Sequence, residues 1–249
     1  MRRAPYLTAM AVVALAAGAA VVLRVPARWW SGPAVAAAPD PKRYAVLSGD
    51  LERLRGELGA RHAAAATPEE AAAVLGEART LLQTALPEMM RCWLGTPWDF
   101  NGTATRPGGG KIACGYFVTT VLRDAGFKID RVRLAQQPSQ TILATFVPRA
   151  SMTLMVGASY QNFRARVATL EPGIYIVGLD NHVAFLVLGR DASFRFIHAS
   201  GARPQCVVDQ PAEDAGVLQR STYRVLGNLT AQPEVLRRWL AATPLTPHG

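Results

Sequence analysis

Residues 113–126 read Ala-Cys-Gly-Tyr-Phe-Val-Thr-Thr-Val-Leu-Arg-Asp-Ala-Gly. Val118, Val121, Leu122 and Ala125 fall at i, i+3, i+4 and i+7, which makes one apolar stripe of a helix. Gly126 stands where a helix ends on a left-handed residue. Cys114 lies four residues before Val118, so it opens the helix on the same core-facing stripe. A cysteine at a helix start is the unusual feature, and the rest of the chain is read outward from it.

Upstream, residues 95–110 are turn-rich: Gly95, Pro97, Asn101-Gly102, Pro107 and the run Gly108 to Gly110. The glycine run precedes Lys111, but a phosphate loop needs Ser or Thr after the lysine, and Ile112 follows here. Further upstream, Leu47, Leu51, Leu54 and Leu58 predict a helix over about 44–62. Thr67-Pro68-Glu69-Glu70 predicts a second start, with a capping threonine and proline at the first helical position. That helix should run to about Leu86, where Pro87 breaks or restarts it, with a shorter helix over Met89 to Leu94. Downstream, residues 131–170 show little pattern beyond a loop around 136–140 and a helix near 160–170. Strands are expected at 174–177, at 182–188 and at 194–198, with a shorter one at 206–208. Asp180-Asn181 forms the first turn and Gly189-Arg190-Asp191 the second. Val235, Leu236, Trp239 and Leu240 predict a final amphipathic helix. The expected fold class is α+β.

A cysteine attacks as thiolate, so its pKa matters. A helix start offers partial positive charge for a thiolate and N–H groups for an oxyanion. A base is also needed, and the chain has four histidines. His62 belongs to the N-terminal helices and His248 to the extreme tail. His182 and His198 flank one hairpin. A three-residue loop would set Leu188 against Ala192 and His182 against His198, on one face. One imidazole would then touch Cys114 while the other orients it. The alternatives are a buried structural cysteine with unrelated histidines, and a zinc site, for which the ligands are too few.

The ordered segments Gly95-Thr96-Pro97-Trp98, Asn101-Gly102, Ala113-Cys114-Gly115, residues 121–126, Leu170-Glu171-Pro172-Gly173, His182-Val183-Ala184 and Phe196-Ile197-His198-Ala199-Ser200 resemble the NlpC-type cell-wall cysteine peptidases. The resemblance implies a papain-like fold, with the nucleophile helix packed on an antiparallel sheet. It implies Cys114 as nucleophile, His182 as base and His198 as orienter. It also implies amide hydrolysis in peptidoglycan stem peptides, with no cofactor and no metal. Trp98, Asn101 and Gly115 would serve substrate or oxyanion. Trp98 stands where the family has tyrosine, and Ala113 and Gly115 replace the acidic residue and the serine beside the nucleophile. An acyl or amide transferase of the same fold and a catalytically inactive binding module are the competing readings.

Residues 6–23 carry no charge, close to the ~20 apolar residues that span a bilayer. Arg2 and Arg3 precede the run, and Trp29-Trp30 follow it. Residues 1–28 are therefore expected to be a signal anchor in an inner membrane or a cleaved signal peptide. The catalytic part would then be periplasmic or extracellular, and secreted if cleaved. A linker (29–43), a helical segment (44–91), the hydrolase domain (92–228) and a C-terminal helix and tail (229–249) complete the expected organisation. The formal net charge is +9, nearly all of it arginine. No basic block interleaved with aromatics points to nucleic acid. Of three cysteines, Cys92 and Cys206 can pair if Cys114 is the free nucleophile, or both can be small buried hydrophobes.

Overall fold

A computed structural model describes residues 38–246, together with two short antiparallel strands, β1 (Met10–Val12) and β2 (Val22–Arg24). The expected anchor over residues 1–28 otherwise lies outside the described residues. Among those described, no helix is long and apolar enough to cross a membrane.

One compact unit spans Ala36–Gly249. It begins with α1 (Pro41–Ala63) and α2 (Pro68–Arg91). Asp40 caps α1 by accepting from the Arg43 N–H at 2.9 Å, so helix occupies the end of the expected linker. Thr67 caps α2 as its sequence predicts, accepting from the Glu70 N–H at 3.2 Å. Pro87 does not break α2. It removes one helical hydrogen bond, but Leu86, Met89 and Met90 on either side are wholly buried and hold both halves in register.

The chain continues through α3 (Cys114–Asp124), α4 (Arg131–Ala135), α5 (Ser139–Phe146), β3 (Thr153–Val156) and α6 (Tyr160–Val167). The strands β4 (Gly173–Leu179), β5 (Val183–Leu188), β6 (Phe194–Ala199) and β7 (Val207–Pro211) follow. Then come α7 (Gly216–Arg220), β8 (Tyr223–Asn228) and α8 (Pro233–Leu240). The class is α+β, with a six-stranded sheet in the order β3-β8-β4-β5-β6-β7, every neighbouring pair antiparallel.

Strands β4, β5 and β6 are buried along their whole length. One face packs Ala184, Leu186, Phe194 and Phe196 against Phe163 of α6 and Leu218 of α7. The other face carries Phe185, whose ring meets Phe117 of α3 edge-on at 5.9 Å. A chain of such contacts runs on from Phe117 to Trp93 at 6.1 Å and from Trp93 to Tyr44 at 5.6 Å. The helical segment 44–91 and the region 92–228 therefore share one core, and α1 is tied to α3 rather than standing in front of it. Residues of the expected tail join the same core: Trp239 of α8 donates to the Ala125 carbonyl at 2.7 Å.

The β4–β5 turn is Asp180-Asn181 as expected, closed by the Leu179 N–H on the His182 carbonyl at 2.8 Å. The β5–β6 connection differs. Leu188 pairs with Phe194, not with Ala192, because the loop runs over residues 189–193 and closes with the Gly189 N–H on the Ser193 carbonyl at 2.9 Å. Asp191 stabilises the longer loop by accepting from both the N–H and the hydroxyl of Ser193. The register moves by two residues, so no side chain changes face. His198 now lies diagonal to His182 instead of opposite it.

Candidate active site

Cys114 opens α3 at the end of the sheet where β5 begins. Ala113 at the N-cap makes no side-chain bond to the helix, so the first N–H groups of α3 are open to other acceptors. The Cys114 sulfur meets the N–H groups of Val183, of Gly115 and of Cys114 itself. These pull its pKa down, but burial outweighs them and the thiol sits above its ordinary value. The helix start thus does not by itself lower the pKa of this thiol, because burial outweighs it. No hydrogen bond joins it to His182 among the described residues; such bonds are often long until substrate closes the site.

His182 stands in the bend ahead of β5, one residue from the Val183 N–H that meets the sulfur. Its Nε2 lies 2.8 Å from Nδ1 of His198, and the rings cross edge-on at 4.9 Å. His198 is wholly buried. Its Nε2 lies 3.1 Å from Oε1 of Gln210, on β7. With the Gln210 amide in this orientation the protons are fixed in sequence. An amide oxygen only accepts, so His198 Nε2 carries hydrogen and its Nδ1 is bare. His182 Nε2 must then donate to that Nδ1, which leaves His182 Nδ1 as a free lone pair. Burial holds both imidazoles well below their ordinary pKa, and repulsion from His198 lowers His182 further. Both are neutral at pH 7, the state a base requires.

A cavity of about 1010 Å3 lies over the sulfur, lined by Cys114, His182, Trp98, Asn101, Gly115 and other residues. A second cleft of about 680 Å3, reaching Gln137 and Tyr223, shares the Cys114 and His182 walls. The two spaces meet at the Cys114 and His182 walls. All three predicted substrate or oxyanion residues face this space, while His198 is set behind His182. Trp98 rests on Gly201, where any Cβ would come within 2.9 Å of the indole. Gly115 also has a local reason: a Cβ there would overlap the Ala135 carbonyl oxygen of α4.

Two positioning residues escape a reading of the sequence. Gln210 is one. Asp180 is the other: its carboxylate accepts from the Ser221 hydroxyl, from the N–H and hydroxyl of Thr222 at 2.9 and 2.8 Å, and from the Tyr223 N–H at 3.0 Å. These donors lower its pKa to about 2 and pin the turn that carries His182 to the start of β8. The alternation rule places Gln210 on the His198 face once β7 is known, but nothing in the sequence fixes that pairing. Cys92 and Cys206 are both free thiols in the structure. Cys92 is buried at the end of α2, where burial raises its pKa to about 11; of the two alternatives open for Cys92 and Cys206, the pairing is not formed.

Comparison with protein-family models, with curated proteins and with solved structures finds no match for this chain.

Proposed function

We propose that this protein is a cysteine hydrolase that cuts an amide bond through a thioester on Cys114. The observation that carries the reading is the relay Gln210–His198–His182, whose last free lone pair belongs to a residue lining the same cavity as the thiol. His182 Nδ1 takes the thiol proton as the sulfur attacks the carbonyl carbon. The N–H groups at the start of α3 are placed to steady the oxyanion. His182 then returns the proton to the leaving nitrogen and the C–N bond breaks. Water, deprotonated by His182, attacks the thioester and releases a carboxylic acid and the free thiol.

The order of elements, a helix opened by cysteine followed by a hairpin bearing two histidines, supports a papain-like reading. The ordered NlpC-like segments support peptides of peptidoglycan as substrate and the cell envelope as location, with residues 6–23 as anchor or signal. The test is mass spectrometry of purified cell wall incubated with the full-length chain and with Cys114→Ala. Peptide release by the wild type alone is expected. Identical products from both would refute the nucleophile.

A further inference from the structure

Arg220 ends α7 and lines the cavity over Cys114. It is exposed, and its guanidinium folds back over Gly216, with Nη1 3.0 Å from where a Cβ of that glycine would stand. Among the described residues no hydrogen bond or ion pair engages it, although arginines elsewhere meet carboxylates, such as Arg61 with Glu77 and Arg195 with Asp209. Asp180 is the one carboxylate among the residues lining this cavity. Four donors from Ser221, Thr222 and Tyr223 occupy its oxygens, so it stays ionised but makes no hydrogen bond to Arg220. The same bonds fix the backbone next to Arg220, since Ser221 and Thr222 are the residues that follow it. Arg220 and His182 are therefore both referred to Asp180, one on each side. The cleft thus holds, beside the occupied Asp180 carboxylate, a guanidinium whose N–H groups are open to a ligand. The remaining polar side chains are neutral, Asn101, Gln136 and Asn181 among them.

A planar guanidinium with free N–H groups matches a carboxylate by paired hydrogen bonds. We propose that Arg220 is an anion-recognising subsite of the cleft, so that the amide cut at Cys114 belongs to a substrate bearing a free carboxylate. The proposal rests on the cysteine-hydrolase reading for the bond that is cut, but the charge preference of the cleft can be measured apart from it.

The probe pair is iodoacetate and iodoacetamide, of like shape and different charge. Their alkylation rates at Cys114 are followed by peptide mass spectrometry on the full-length chain. Arg220→Gln should lower the iodoacetate-to-iodoacetamide ratio roughly threefold, the size of effect of one solvent-exposed ion pair. Arg220→Lys should keep most of the ratio, because the charge remains. Arg164→Gln, a charge-matched control on α6, should keep it all. Raising salt to about 1 M, where the screening length is ~3 Å, should bring the wild type down to the Arg220→Gln ratio. A ratio unchanged in Arg220→Gln, or lowered equally by Arg164→Gln, overturns the subsite. The ratio is read on Cys114 whatever its absolute rate. If Cys114 reacts no faster than Cys206, the nucleophile reading falls while the ratio still decides the subsite.

Discussion

Replacing Gln210 with leucine should reverse the proton relay that makes His182 a base. In the native site Gln210 Oε1 accepts from His198 Nε2 at 3.1 Å, and that acceptor is what leaves His182 Nδ1 bare. Leucine accepts nothing. The working arrangement would then carry a buried, unpartnered N–H on His198, which is wholly enclosed. Such a group costs about 1–3 kcal/mol. The reversed arrangement, with His198 Nδ1 donating to His182 Nε2, presents a bare nitrogen to the leucine instead, and a buried acceptor left unpartnered is tolerated more readily than an orphaned N–H. The reversed form also puts a hydrogen on His182 Nδ1, where the lone pair is needed. A net preference of about 1–2 kcal/mol for the reversed form leaves the working form at roughly one part in five to one in thirty. Alkylation of Cys114 at neutral pH, and amide hydrolysis with it, should therefore fall by about 5- to 30-fold. The fold should survive, since the relay reverses instead of breaking. Gln210→Glu restores an acceptor and should recover the rate. It should also raise the pKa of the histidine pair, because a carboxylate favours imidazolium, and so move the acid limb of the pH–rate profile upward. In the wild type that limb should lie well below pH 6.5, because burial disfavours the charged pair. The assay is the rate of Cys114 alkylation against pH, paired with nitrogen chemical shifts of both imidazoles. A Gln210→Leu protein that keeps the native tautomers, or reacts within twofold of wild type, would refute the relay.

Two further changes probe what holds the site in place. Gly115→Ala should push α3 from α4, since the new Cβ overlaps the Ala135 carbonyl; overpacking of this kind costs about 1–3 kcal/mol, measurable as a lowered urea midpoint together with slower Cys114 alkylation. Asp180→Asn should loosen the His182 turn. The depressed pKa of Asp180, about 2, means its contribution is full above the unfolded value near 4 and is lost as pH falls through about 2. The stability difference between wild type and Asp180→Asn, read by denaturant titration, should accordingly shrink below pH 4, and a difference constant down to pH 2 would count against the assigned hydrogen bonds.

Where side-chain periodicity carried the signal, the sequence was legible. The stripe of Val118, Val121 and Leu122 gives α3 almost residue for residue, and the β-rich runs around His182 and His198 give the central hairpin. The hairpin loop was misjudged by two residues, yet the site survived the error because a strand repeats every two. Strand β8 was invisible for a physical reason. Arg224, wholly buried within it, reads as a solvent-facing charge. In fact its guanidinium donates to the carbonyls of Leu218, Ala158 and Gln219 and lies 5.1 Å over the Phe163 ring. Helices α4 and α5 are too short to show a stripe, and α5 is a run of Ile142, Leu143 and Ala144 buried together.

The residues hidden by these gaps tune the site; those that were legible form it. Cys114 and His182 can be found from local pattern because each opens a regular element. Gln210, Asp180 and Arg220 act through β7, the β8 start and α7, elements whose placement depends on pairings far apart in sequence. That division bears on the chemistry. A cysteine at a helix start suggests a lowered thiol pKa, but burial outweighs the helix start here. Reactivity then rests on a neutral histidine with the right nitrogen bare, and the choice of nitrogen is made three residues deep, at Gln210. On the proposed mechanism, the pair Cys114 and His182 is therefore under the control of a residue that lines neither cavity.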